Sequence, residues 1–284
     1  MLPDHVTLVL LRVLAFAIIA GAIWYRRHTW RMRWEGGITL QLALQLVAMW
    51  LCAPGTDALA RYVHLPELVG VHQVETFLGN CVFLGAVAVV AANMLTRIAD
   101  DDNEAQALVQ QRLLPIVSAA PALMLGCLVS SQAPLHEALD LFDVHPDGWL
   151  RAYWCIYFGA LIAVVSIALW ALNIIADDPA QRAVARIWQA ALWCGAVGCV
   201  VGLINAFVAA PLGWAIWYAT AAEAVTCAVL AARSWRIRMR PYRGLLAATR
   251  TTQRELRADT VEAHRLRVGA LAQAPQRHDG HAAS

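Results

Sequence analysis

The chain contains no lysine: all 22 of its basic residues are arginine. It is poor in charge of either sign. Charged residues occupy 15% of the 284 positions and apolar ones 60%, where a typical soluble domain has about 25% and about 45–50%. That balance excludes an ordinary soluble domain. The seven cysteines form no C-x-x-C pair and no zinc-type spacing. There is no H-E-x-x-H, no G-x-S-x-G and no pair of aspartates inside an apolar run, so the usual signatures of metalloprotease, serine hydrolase and intramembrane aspartyl protease chemistry are missing. No cofactor or catalytic residue is assigned. Arginine without lysine in an alanine-rich chain points to a GC-rich bacterial genome.

What the chain has is a series of apolar runs near the length of about 20 residues that crosses a bilayer as a helix. Seven are read, at residues 6–25, 38–53, 72–98, 113–131, 152–176, 187–209 and 213–232. The expected fold is all-α: a polytopic membrane protein with a bundle of about seven transmembrane helices over residues 1–232. A short cytoplasmic tail, 233–284, follows, helical at first and disordered at its end. The first run has no basic start and is followed by a basic cluster, the pattern of an uncleaved anchor.

Orientation follows from the arginines, which mark the cytoplasmic side. Arg26, Arg27, Arg31 and Arg33 follow the first run, Arg182 and Arg186 the fifth, and Arg233, Arg236, Arg238, Arg240 and Arg243 the seventh. These all fall on one side of a seven-fold crossing. The opposite side holds Arg61 and the borderline Arg151, with Asp57, Glu67, Glu137, Asp140, Asp143 and Asp147. The expectation is a multi-pass protein of the bacterial plasma membrane, N-terminus outside and C-terminus in the cytoplasm. The acidic stretch 99–111 is read as an inner loop. On the outer side, Leu135, Leu139 and Phe142 recur at helical spacing, so a short helix lying on the membrane surface is expected. His136, His145 and the aspartates beside them match no metal-ligand spacing.

The basic cluster of the tail, Arg233 to Arg243, is expected to contact anionic lipid headgroups, worth about 1 kcal/mol per arginine at the surface, and not nucleic acid. The tail is too short for a signalling enzyme, so any signal would pass to a separate cytoplasmic regulatory protein. Gly195, Gly198 and Gly202 in the sixth run, and Ala17 and Gly21 in the first, let helices approach closely, within the bundle or in a homo-oligomer. Pro115 and Pro121 are expected to kink the fourth span.

Polar residues at membrane depth carry the functional argument. Glu223 lies about eleven residues into the last run, roughly 16 Å down at 1.5 Å per residue. A carboxylate there costs about 2.5–3.5 kcal/mol on insertion scales, so it should face the bundle or a water-filled cavity. Its helical neighbours Ala219, Thr220, Thr226 and Cys227 are small. Two readings stand: a ligand, proton or cation site that includes Thr220, or a neutral glutamic acid hydrogen-bonded to another helix, for instance to Asn205. Nearer the outer face, Arg12, His72 and Glu75 form a second cluster in which an Arg12–Glu75 pair is expected. Gln41 and Gln45, one helical turn apart, read as interhelical glue.

Three stretches carry a resemblance: LPELVGVHQVETFLGN, RAYWCIYFGALIAVVSIALW and DDPAQRAVARIWQAALWCGAVGCVVGL. Together they resemble a group of uncharacterised actinobacterial seven-helix integral membrane proteins usually labelled as transporters. The resemblance spans roughly residues 5–245 and implies a seven-helix membrane fold. It carries over no site residues. Two functional classes therefore stand: a small-solute or proton-linked transporter-like protein centred on Glu223, and a non-enzymatic receptor or scaffold that signals to a cytoplasmic partner.

Overall fold

A computed structural model describes residues 5–27, 36–52, 73–135, 141–142, 144–179, 181–208 and 212–238. All regular structure among them is helical: α1 (His5–Tyr25), α2 (Gly36–Leu51), α3 (Val74–Ile98), α4 (Asp102–Arg112), α5 (Leu114–Ser130), α6 (Gly148–Asp177), α7 (Arg182–Phe207) and α8 (Gly213–Arg238), with one 3₁₀ turn at Ala133–Leu135. The chain is thus an all-α bundle whose helices are long and apolar enough for a multi-pass membrane protein. Among the described residues six helical segments have that length, counting α4 and α5 as one. The second expected span is shorter: α2 has 16 residues, about 24 Å at 1.5 Å per residue, against a hydrocarbon core of about 30 Å.

The chain forms two compact units, residues 1–233 and 234–284. Of the second, residues 234–238 are the end of α8, and the rest lies outside the described residues, including the tail helix and disordered end expected from sequence. Arg233 and Arg236 are exposed; Arg240 and Arg243 lie outside the described residues, as does the side chain of Arg238.

Within the first unit α2 packs on α3, α3 on α6, and α6 on both α5 and α7. The closest approach of α2 and α3 needs Gly79. A Cβ there would run into the Cys52 thiol and lie 3.1 Å from Leu51 Cβ and 3.3 Å from the Ala48 carbonyl oxygen. On α1 the buried positions Ala15, Ile19, Ala22 and Arg26 recur every third or fourth residue and form one stripe, while Leu10, Val13, Leu14 and Phe16 point outward. An exposed face of that composition suits lipid, not water.

Three expectations are corrected. The acidic stretch 99–111 is not a loop. Most of it is α4, whose start is a reciprocal cap: Asp101 Oδ1 accepts from the Glu104 amide at 2.7 Å, and Glu104 Oε2 accepts from the Asp100 amide at 2.7 Å. Asp101 and Glu104 thus meet unpaired amides at the positive end of a helix. Pro115 sits in the first turn of α5, where its missing N–H is not needed, leaving Pro121 as the proline inside the helix. Of the segment expected to lie on the membrane surface, residues 141–142 pack inward instead. Leu141 is fully buried, and Phe142 stacks on Trp154 with ring centroids 4.3 Å apart. Residues 136–140 and 143 lie outside the described residues.

Candidate functional site

The helical repeat places the inward side chains in stripes. On α2 these are Gln41, Gln45, Ala48, Met49 and Cys52; on α3, Thr76, Asn80 and Phe83; on α8, Ile216, Thr220, Glu223 and Cys227. Where α2, α3, α6, α7 and α8 converge they leave a cavity of about 80 Å³, room for roughly five waters. Its walls are mostly apolar. Glu223 and Thr220 from α8, Thr76 and Asn80 from α3, and Tyr157 from α6 supply oxygens. Phe142 lines the cavity as well.

Glu223 is 3% exposed. Gln45 Nε2 donates to both of its oxygens, at 2.9 and 3.2 Å, and the Cys227 thiol donates to Oε1 at 3.4 Å. Gln41 in turn donates to Gln45 Oε1 at 2.7 Å. The result is a buried polar chain, Gln41 to Gln45 to Glu223, that bridges α2 and α8. Both partners of the carboxyl are neutral, and no ion pair to it is formed among the described residues. Glycines let the carboxyl take this place. A Cβ at Gly195 would lie 3.3 Å from Glu223 Cγ, one at Gly198 would lie 3.0 Å from Ala219 Cβ, and one at Gly202 would strike the Phe158 ring. The small residues of α7 therefore face α8 and α6 inside the bundle.

Of the residues singled out from sequence, Glu223 and Thr220 come together on the cavity wall. Asn205 does not join them. It lies near the end of α7, where its Oδ1 accepts from the Leu212 amide, just before α8, at 3.1 Å. Register is the reason: two residues from the end of α7, Asn205 meets the beginning of α8, whereas Glu223 is ten residues further in.

The expected Arg12–Glu75 pair is not formed among the described residues. The Arg12 guanidinium lies over the Trp217 ring, 3.8 Å from its centroid, and Glu75 is buried at the start of α3. An aromatic face thus provides part of what a carboxylate was expected to provide. His72 lies outside the described residues. So do His136, Asp140 and Asp143; among the described residues no His, Cys, Asp and Glu group is arranged to hold a metal.

Three functional features escape a reading by sequence. Arg26 is fully buried: its Nε donates to Thr39 Oγ1 at 3.2 Å and its Nη1 to the Ala231 carbonyl at 2.6 Å. Its helical phase, in line with Ala15, Ile19 and Ala22, is the signal that sets it apart from exposed Arg27. Tyr157, 6% exposed, stands on the cavity wall, and its hydroxyl makes no hydrogen bond among the described residues. Nothing in its sequence context marks it. Asn80 Nδ2 donates to the Tyr153 hydroxyl at 2.8 Å, joining α3 to α6 beside the cavity.

Arg12 and Arg26 are fourteen positions apart, as are their contacts Trp217 and Ala231 on α8. The two helices therefore run side by side in the same direction. In comparisons with known proteins, no family model, no curated protein and no solved structure matches this chain.

Proposed function

We propose that this protein is a transporter-like multi-pass membrane protein in which the cavity beside Glu223 takes up a small solute or a proton. The observation that carries this reading is a carboxyl at membrane depth that forms part of a cavity wall and has only neutral partners. A buried carboxylate without a counter-charge is costly, and either a proton or a cationic solute removes that cost. A purely structural glutamic acid has no need of an adjoining cavity.

The further parts of the reading are the ones the arginine asymmetry suggests: the bacterial plasma membrane, N-terminus outside, C-terminus inside. The parallel course of α1 and α8 supports an odd number of crossings between them, hence termini on opposite sides. Exposed Arg233 and Arg236 suit anionic headgroups at the inner face. Kinship with the actinobacterial seven-helix group belongs to this proposal too, as do any homo-oligomer and any cytoplasmic regulatory partner.

The test uses the purified chain in lipid vesicles with a trapped pH dye, challenged with a panel of inorganic and organic cations. The expected result is a solute-dependent proton flux in the parent that Glu223→Gln abolishes. Equal behaviour of parent and variant across the panel overturns the reading. Orientation is checked with a reporter active only in the cytoplasm: signal is expected after Arg243 and not after Asp143.

A further inference from the structure

Glu223 stands at a border. Its neighbours toward the start of α8, Ile216, Trp217 and Thr220, line the cavity, and so do Ala48, Met49 and Cys52 of α2. Cys227, one turn further along α8, and Gln41 and Gln45 of α2 do not line it. The cavity therefore lies on one side of the carboxyl, and a buried polar chain continues on the other. That chain leads toward the level where Arg26 holds Thr39 and the Ala231 carbonyl, one turn past Cys227.

The chain has a direction, set by its donors. Gln41 Nε2 donates to Gln45 Oε1 at 2.7 Å, and Gln45 Nε2 donates to Glu223 Oε2 at 2.9 Å and to Oε1 at 3.2 Å. The Cys227 thiol donates to Oε1 as well. Every donor points at the carboxyl, an arrangement that suits an ionised, acceptor-only acid. The cost falls at the far end. Gln41 is fully buried, and its Oε1 has no hydrogen-bond partner among the described residues.

A protonated Glu223 reverses the requirement. Its O–H is a donor, and the group 2.9 Å from Oε2 is an amide nitrogen that cannot accept. Half a turn of the Gln45 amide brings its Oε1 to that place and its Nε2 toward Gln41. Gln41 must then turn as well, so that its Oε1 accepts from Gln45 Nε2. The unpartnered atom at the far end becomes Gln41 Nε2. The terminal torsion of glutamine is broad and roughly two-fold, and the two ends of an amide are similar in size, so the helices need not move. Each direction leaves one atom of Gln41 unpaired. The far end therefore favours neither, and the proton on Glu223 decides.

We propose, resting on the reading of Glu223 as a proton site, that Gln45 and Gln41 form a two-state hydrogen-bond switch that reverses when Glu223 takes up a proton from the cavity. Both are positioning residues, and the switch carries the loading of Glu223 one turn along α2, away from the cavity. The other titratable groups around Glu223 are the thiols of Cys227 on α8 and Cys199 on α7, with Cys52 of α2 and Tyr157 of α6 on the same cavity wall. Arg12 of α1 borders the cavity through the Trp217 ring. None of these is a carboxyl, so a carboxylic-acid signal separates Glu223 from them.

The test is infrared difference spectroscopy of the full chain in nanodiscs, between alkaline and acidic pH, with the glutamine side-chain carbonyls isotope-labelled. A carbonyl that gains a hydrogen bond absorbs at lower frequency. The expected result in the parent is a carboxylic-acid band on acidification and, titrating with it, a downshift of a labelled glutamine carbonyl, that of Gln41. Glu223→Gln should lose both signals. Gln41→Leu should keep the carboxylic band and lose the downshift. If Glu223→Gln does not fold, the parent and Gln41→Leu decide.

A carboxylic band in the parent with no glutamine change that titrates with it overturns the switch and leaves the proton reading of Glu223 standing. A downshift that survives in Gln41→Leu does the same. No carboxylic band at either extreme of pH overturns the switch together with the proton reading. Both signals in the parent, with no flux in vesicles, uphold the switch and sink transport.

Discussion

Helices α1 and α3 are both long and apolar, and the fold uses them in opposite ways. α1 is the more apolar, yet only 17% of its apolar stretch is buried, against 56% for α3. What α3 turns inward includes the small or polar residues Glu75, Thr76, Gly79, Asn80, Ala86 and Ala91 beside the larger Leu84, Val87, Val90, Met94 and Leu95. Lipid tails are as apolar as leucine, so hydropathy gives a helix no reason to prefer protein to lipid. Close approach and hydrogen bonding supply the reason, and α3 has the residues for both. α1 has few of them. It is fastened to α8 at two points instead, Arg12 on Trp217 and Arg26 on the Ala231 carbonyl.

This contrast can be broken by substitution. The largest effect is expected at the contact of α2 with α3. Gly79→Val drives a side chain into Cys52, Leu51 and backbone and should cost about 3 kcal/mol, the upper range for overpacking. Thermal unfolding in detergent checks it, and a melting temperature close to the parent's would show that the two helices are free to separate.

Next comes the fastening of α1. Arg26→Met removes the donors to Thr39 and Ala231 and should cost about 2 kcal/mol, near the value for hydrogen bonds to a charged group. The same measurement reads it, and Arg27→Met, exposed beside it, serves as the silent control.

Smaller is the loss at the polar chain. Gln45→Leu deprives Glu223 of its amide donor and should cost about 1 to 2 kcal/mol, since interhelical hydrogen bonds in bundles are modest. Combining it with Glu223→Gln should be non-additive, because the two side chains touch; strict additivity in a double-mutant cycle would mean the contact contributes nothing.

The smallest effect is expected on α1. A Cβ at Gly21 would have nothing within 4 Å. Gly21→Val should therefore change stability by no more than about 0.5 kcal/mol. A drop comparable to Gly79→Val would show that this face of α1 is covered, as in a homo-oligomer, and that the contrast between the two helices is not one of lipid against protein.

How much of the site was legible depends on which property each residue expressed. Glu223 announced itself by polarity within an apolar run, and Thr220 by lying on the same helical face. Both are local facts, and both residues are on the cavity wall. The partner of Glu223 was not legible. Asn205 was the nearby polar candidate in sequence, but it bonds to the Leu212 amide before α8, and the true partner, Gln45, comes from a helix 178 positions away. Tyr157 sits among other aromatics of α6 and differs from them only in where its hydroxyl ends up.

By itself the sequence determined that the chain is an all-helical bundle with membrane-length segments, because hydropathy and helical period act within a single segment and need no neighbour. It also determined that Glu223 needs an inward, polar environment, since its insertion cost depends on depth alone. Only the tertiary structure decided which side chains meet: Gln45 with Glu223, Trp217 with Arg12, Thr39 and Ala231 with Arg26. Those choices depend on the rotation and register of helices far apart in the chain, fixed by close contacts such as that of Gly79 with Cys52 and of Gly198 with Ala219. Hydropathy is blind to them, because every face that meets lipid and most faces that meet protein are equally apolar.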